Sequence, residues 1–133
     1  MLSIVKGALI AVGALIAVVA ALLGVFVWWA SVGIFSTSNF DRQKWLNSRP
    51  IGSENASACY RGGMARDLTN RVLLPGMTHQ EVTSLLGAPE QDARQAEFQY
   101  TLGMCSGLRM DYDVLHVYFS SEGKLTHASI IQH

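Results

Sequence analysis

Hydrophobic positions fall into three regimes along the chain. From Gly7 to Phe35 they are almost continuous, and GALIAVGALIAVVAALLGVFVWWASVGIF contains no charged side chain. From Ala58 to Leu86 they recur at helical spacing, and from Glu97 onward they alternate. Each regime predicts a different kind of element.

A helix rises about 1.5 Å per residue, so about 20 apolar residues cross a bilayer core of about 30 Å. The first run is longer than that, and Trp28 and Trp29 near its far end suit the membrane–water interface. The expectation is an uncleaved transmembrane anchor within residues 1–35, spanning roughly Lys6 to Trp29. A cleaved signal peptide has an apolar core of about 7–15 residues and then a small-x-small site. Here the apolar run is about twice as long, and Ser31-Val32-Gly33 is the best such site it offers.

Residues 36–57 read as a polar linker and juxtamembrane segment. Ser36-Thr37-Ser38-Asn39 breaks the helix. FDRQKWL then places Phe40 and Trp45 either on the membrane or on the following domain. NSRPIGSENASA is rich in loop-forming residues.

The domain is expected to cover 58–133. Met64, Leu68 and Val72 make one apolar stripe of a helix from Ala58 to Leu73, with Arg61, Arg66 and Arg71 on its solvated faces. Leu74-Pro75-Gly76 ends it. The strongest local signal follows. Thr78 is a good N-cap, Glu81 three residues later completes a capping box, and Met77 and Val82 stand at the staple positions. Val82, Leu85 and Leu86 form the buried stripe, Gly87 suits a left-handed C′ position, and Pro89 blocks continuation. A short helix over His79–Leu86 is therefore specified at both ends. Three strands follow, Glu97–Met104, Asp113–Phe119 and Lys124–Ile131, the last two joined by a Ser120–Gly123 turn. The order predicts an α+β class: an N-terminal transmembrane helix, then two helices packed on one face of a three-stranded antiparallel sheet.

Composition sharpens this picture in one respect. Only 15% of the chain is charged, against about 25% for soluble domains. The shortage sits in the anchor, because every charged residue except Lys6 lies after Phe35. The net charge of +0 argues against a nucleic-acid partner, which calls for a basic face.

Candidate chemistry is sparse. Cys59 and Cys105 are the two cysteines, and an envelope domain would join them in a disulfide. The histidines, His79, His116, His127 and His133, form no short metal motif, although His116 and His127 could pair across a hairpin. A small hydrolase would need His116 or His127 beside Asp111 or Asp113. No catalytic residue, metal site or cofactor is expected. Tyr100, His116, Tyr118 and Thr126 are the candidate partner contacts, on the assumption that they face outward.

Leu73-x-x-Gly-Met-Thr-x-x-Glu-Val-x-x-Leu-Leu-Gly-x-Pro89 resembles the motif of the SmpA/OmlA (BamE-like) family of outer-membrane assembly lipoproteins. Gly76, Met77, Thr78, Glu81, Val82, Leu86, Gly87 and Pro89 match it position by position, as structural positions. Arg61-x-x-Met64-x-x-Asp67-Leu68, Phe40-Asp41 with Trp45, Tyr100-x-Leu102-Gly103, and Leu115-x-Val117-x-Phe119 with Gly123-Lys124 are similar to the same group. The resemblance implies an αα-βββ fold, a bacterial envelope location, no catalysis, and contact with an envelope protein partner in outer-membrane or envelope assembly. The apolar run lacks the cysteine that would follow it in a lipoprotein, so an inner-membrane, single-pass protein with a periplasmic domain is expected. The same fold carries inhibitor-like proteins, which leaves an inhibitor or ligand-binding module, presenting the Met104–Tyr112 loop with Gly107, Met110 and Tyr112, as the alternative.

Overall fold

The computed structural model describes residues 2–31, 33–48, 58–106 and 110–133. Helix α1 (Leu2–Ser31) is the apolar run. Within Lys6–Ala30 the most apolar 18 residues have a mean hydropathy of 2.9, and none of them is buried against the rest of the protein. The helix is long and apolar enough to cross a membrane. Beyond it, a 3₁₀ turn (Gly33–Ser36) carries Phe35 into the core of the folded domain.

That core lies between a helical layer and an antiparallel sheet of order β1-β2-β3-β4. The strands are β1 (Gln91–Asp92), β2 (Glu97–Gly103), β3 (Asp113–Phe119) and β4 (Leu125–Gln132). Phe98, Tyr100 and Leu102 of β2, with Leu115, Val117 and Phe119 of β3, point into the core as the alternation requires. The class is α+β, with four strands where the pattern predicted three. The additional strand, β1, has two residues and no periodicity of its own. It exists because the turn at Arg94 and Gln95, both with positive φ, folds it back onto β2.

The helical layer also differs from expectation. Helix α2 (Arg42–Asn47) is capped by Asp41, whose side chain accepts from the Lys44 N–H. It brings Trp45 fully into the core. Residues 36–48, expected as linker, therefore pack on the domain, while 49–57 lie outside the described residues. The helix expected from Ala58 begins only at Gly62 and runs as three short pieces, Gly62–Met64 (3₁₀), Ala65–Asp67 (α) and Leu68–Val72 (π), together α3. Its missing first turn has a tertiary cause. Tyr60 and Arg61 N–H groups donate to the Leu102 carbonyl at the end of β2, and Cys59 bridges Gly103, so this stretch is committed to the sheet. The Gly62 backbone lies so close to Cys59 and Cys105 Sγ that a Cβ there would overlap both.

Helix α4 (His79–Leu86) forms as its signals require. Thr78 and Glu81 complete a reciprocal capping box, Val82 and Leu86 are buried, and Gly87 is the C-cap with φ 80° and ψ −174°, a positive-φ glycine but not the left-handed C′ conformation expected. The Ser120–Gly123 turn also forms, with φ 72° at Gly123.

Candidate interaction surface

Cys59 and Cys105 lie with their sulfurs at bonding distance and their Cα atoms 4.7 Å apart, the arrangement of a disulfide. The bond joins the stretch before α3 to the segment after β2. Asp113 at the start of β3 fixes that segment further, accepting from the Cys105 N–H at 2.9 Å, the Ser106 N–H at 2.7 Å and the Ser106 hydroxyl at 2.6 Å. Gly107 of the candidate presenting loop lies outside the described residues, while Met110 and Tyr112 are exposed.

Trp45 fastens helix α2 to the rest of the domain. Its ring meets Phe40 and Tyr100 edge-on, each at 6.2 Å between centroids, and its Nε1–H donates to the Leu86 carbonyl at 3.1 Å. Arg61, expected on a solvated face, is fully buried instead. Its guanidinium lies 4.6 Å from the Trp45 ring centroid, Nε donates to the Trp45 carbonyl, and Nη1 pairs with Glu90 at 2.9 Å. Nη2 has no hydrogen-bond partner among the described residues. A buried charge is tolerable only when paired, and Glu90, just before β1, supplies the pairing. Arg66 is half-buried and Arg71 exposed, bonded to Asp67.

On the sheet face away from the helices, polar and aromatic side chains gather. His116 Nδ1 meets the Glu97 carboxylate, and its Nε2 faces His133 Nε2 at 2.9 Å. The His116 hydrogen bond holds the Glu97 carboxyl below the usual carboxylate range. Tyr118 stacks on His127 at 4.6 Å and on His116 at 6.1 Å. The expected His116–His127 pairing does not form. The β3–β4 register sets His127 opposite Tyr118 and Ser129 opposite His116, leaving His133 to reach the imidazole.

Among the candidate partner contacts, Thr126 is exposed and Tyr118 half-buried. Tyr100 and His116 are buried and are corrected accordingly. Tyr100 shares the inward face with Phe98 and Leu102, and its hydroxyl donates to the Gly87 carbonyl at 3.1 Å. His116 is covered by Glu97, Tyr118 and His133. The motif residues take structural positions. Val82 and Leu86 are core, Met77 packs against it, Pro89 is half-buried, Thr78 and Glu81 form the cap, and Gly76 and Gly87 have positive φ.

Among the described residues no group of three or more His, Cys, Asp or Glu could hold a metal ion. The hydrolase constellation is not assembled: His116 faces Glu97, His127 faces Tyr118, and Asp113 is engaged by Cys105 and Ser106. No family model matches the chain, and no curated protein matches it.

Of the two placements left open for Trp45, packing on the domain is the one found; sequence reasoning missed Arg61 as a buried cation and the Glu97–His116–His133 cluster. The alternation of β2 was a usable signal for Tyr100, because it groups that residue with Phe98 and Leu102.

Proposed function

We propose that this chain is a non-enzymatic, membrane-tethered envelope protein. In this reading α1 crosses the bacterial inner membrane once, the domain lies on the periplasmic side, and the domain binds another envelope protein in support of envelope assembly. The observation that carries the reading is the junction. An apolar helix whose 25-residue Lys6–Ala30 stretch has no buried residue leads through a short turn into Phe35, which is part of the domain core. A domain attached this closely cannot reach far from the bilayer, so its partners are those brought to the membrane. The disulfide geometry of Cys59 and Cys105 supports an oxidising compartment. The motif of residues 73–89, which resembles the SmpA/OmlA family, supports an assembly role.

The test is cross-linking in intact cells followed by purification of the full chain under denaturing conditions. A specific envelope protein, recovered from cells carrying the domain but not from cells carrying α1 alone, is the expected result. Recovery of nothing beyond the α1 control would overturn the proposal.

A further inference from the structure

Strand β4 is an edge of the sheet. On its inner side it pairs with β3 from Asp113↔Gln132 to Phe119↔Leu125. On its outer side only the beginning is covered. The Gly76 N–H donates to the Leu125 carbonyl at 2.8 Å, the Leu125 N–H donates to the Met77 carbonyl at 2.7 Å, and Thr78 bridges Lys124. Residues 76–78 thus fill the first rung of a fifth strand before the chain turns into α4. Among the described residues, Thr126–Gln132 have no backbone partner on that side.

Proteins usually blunt such an edge with lysine, proline or an inward charge. Leu-Thr-His-Ala-Ser-Ile-Ile-Gln contains none of these. Beside it runs an open groove of about 460 Å³, lined by Ser129, Ile130 and Gln132 of β4, Arg66 and Thr69 of α3, and Phe35, Ser106 and Asp113. Every second side chain of an added strand would enter this groove.

The groove also carries an unused cation. Arg66 makes no ion pair among the described residues. Two carboxylates in reach of this region have other partners: Asp113, which also lines the groove, accepts from Cys105 and Ser106, and Asp67 is held by Arg71 and the Phe40 N–H. A guanidinium in this position recognises a carboxylate in a charge-assisted, two-pronged contact. A second copy of this chain is a poor occupant, because β4 has no carboxylate to offer Arg66.

We propose that an extended segment of a partner protein adds to the outer edge of β4, continuing the line begun by residues 76–78, and sets an acidic side chain on Arg66. The proposal rests on the tethered-binder reading and specifies its partner as a β-strand bearing a carboxylate.

The test uses the full chain in detergent micelles. The probe is a short acetylated peptide of alternating valine and threonine with one glutamate, alongside versions with glutamine and lysine in its place. Amide hydrogen exchange of β4 is the readout. The glutamate peptide should slow exchange at the outward amides of Thr126–Gln132, and the glutamine peptide should bind about tenfold more weakly, the value of one charge-assisted contact. Arg66→Glu should reverse the preference, so that the lysine peptide binds best, and Arg66→Gln should abolish it. Reversal by a substituted side chain cannot come from a misfolded domain. Absence of protection at saturating peptide, or equal binding of all three peptides, would overturn the proposal. So would edge protection that appears without peptide and rises with protein concentration, which would assign the edge to a second copy. If the peptides fail while cells still yield a specific cross-linked partner through Glu122, at the far turn, the strand-addition proposal falls and the tethered-binder reading stands.

Discussion

Replacing Trp45 with alanine removes the side chain that ties α2 to α4, β2 and Arg61. The indole is fully buried, meets Phe40 and Tyr100, donates to the Leu86 carbonyl at the end of α4, and offers its face to Arg61. Truncating a buried tryptophan costs about 3–5 kcal/mol through lost burial and the cavity left behind. The lost hydrogen bond contributes about 1 kcal/mol, and a desolvated cation–π contact about 1–2 kcal/mol. Because these overlap, the expected loss is about 4–6 kcal/mol, much of the total stability of a small domain. Trp45→Phe keeps most of the volume and loses the Nε1–H donor, so its cost should be about 1–3 kcal/mol. Native-state hydrogen exchange of β3 amides in the full chain measures both. A Trp45→Ala loss below about 1 kcal/mol would refute the reasoning, because residues 36–48 would then be peripheral to the fold.

Reduction of the Cys59–Cys105 bond frees a loop with a sequence separation of 46. It should lower stability by up to about 4 kcal/mol in the chain-entropy model, checked by denaturant unfolding with and without reductant. Glu97 has its folded-state pKa lowered by His116. Its stabilising contribution is therefore complete above the ordinary carboxylate value of about 4.3 and is lost as pH falls through the lower folded value. Glu97→Gln should flatten the acid limb of the stability curve below about pH 4.3. Arg94 and Gln95 have φ 54° and 63°, and the Ala96 N–H donates to the Ala93 carbonyl. This is a type I′ turn made without the residues that prefer it. Arg94→Asn with Gln95→Gly should raise the unfolding free energy by about 1 kcal/mol; a decrease would contradict the turn assignment.

How much was legible in the sequence depended on how local each cause is. Helix α4 was readable because its cap, stripe and stop lie within a dozen residues and agree with one another. Strand β3 was readable from alternation, and α1 from length and apolarity. The start of α3 was not, because the Leu102 carbonyl, some forty residues away, takes the N–H groups of Tyr60 and Arg61. Strand β1 was invisible because two residues carry no period. Arg61 looked solvated on a helical wheel, but it lies before the helix, over an indole contributed by α2. The His116–His133 contact depended on strand register, which periodicity does not set across strands. At the edge of β4 the residue types were on view, but that Thr126–Gln132 lack an outer neighbour among the described residues is a property of topology alone.

The central claim is that α1 is a retained membrane span holding the domain outside the cytoplasm. Labelling of a cysteine placed at Glu122, on the exposed β3–β4 turn, by a membrane-impermeant maleimide in intact spheroplasts tests it most directly. The account predicts full-length, membrane-associated protein that is labelled before lysis to the same extent as after it. Labelling only after lysis, or a shortened product in the soluble fraction, would contradict it.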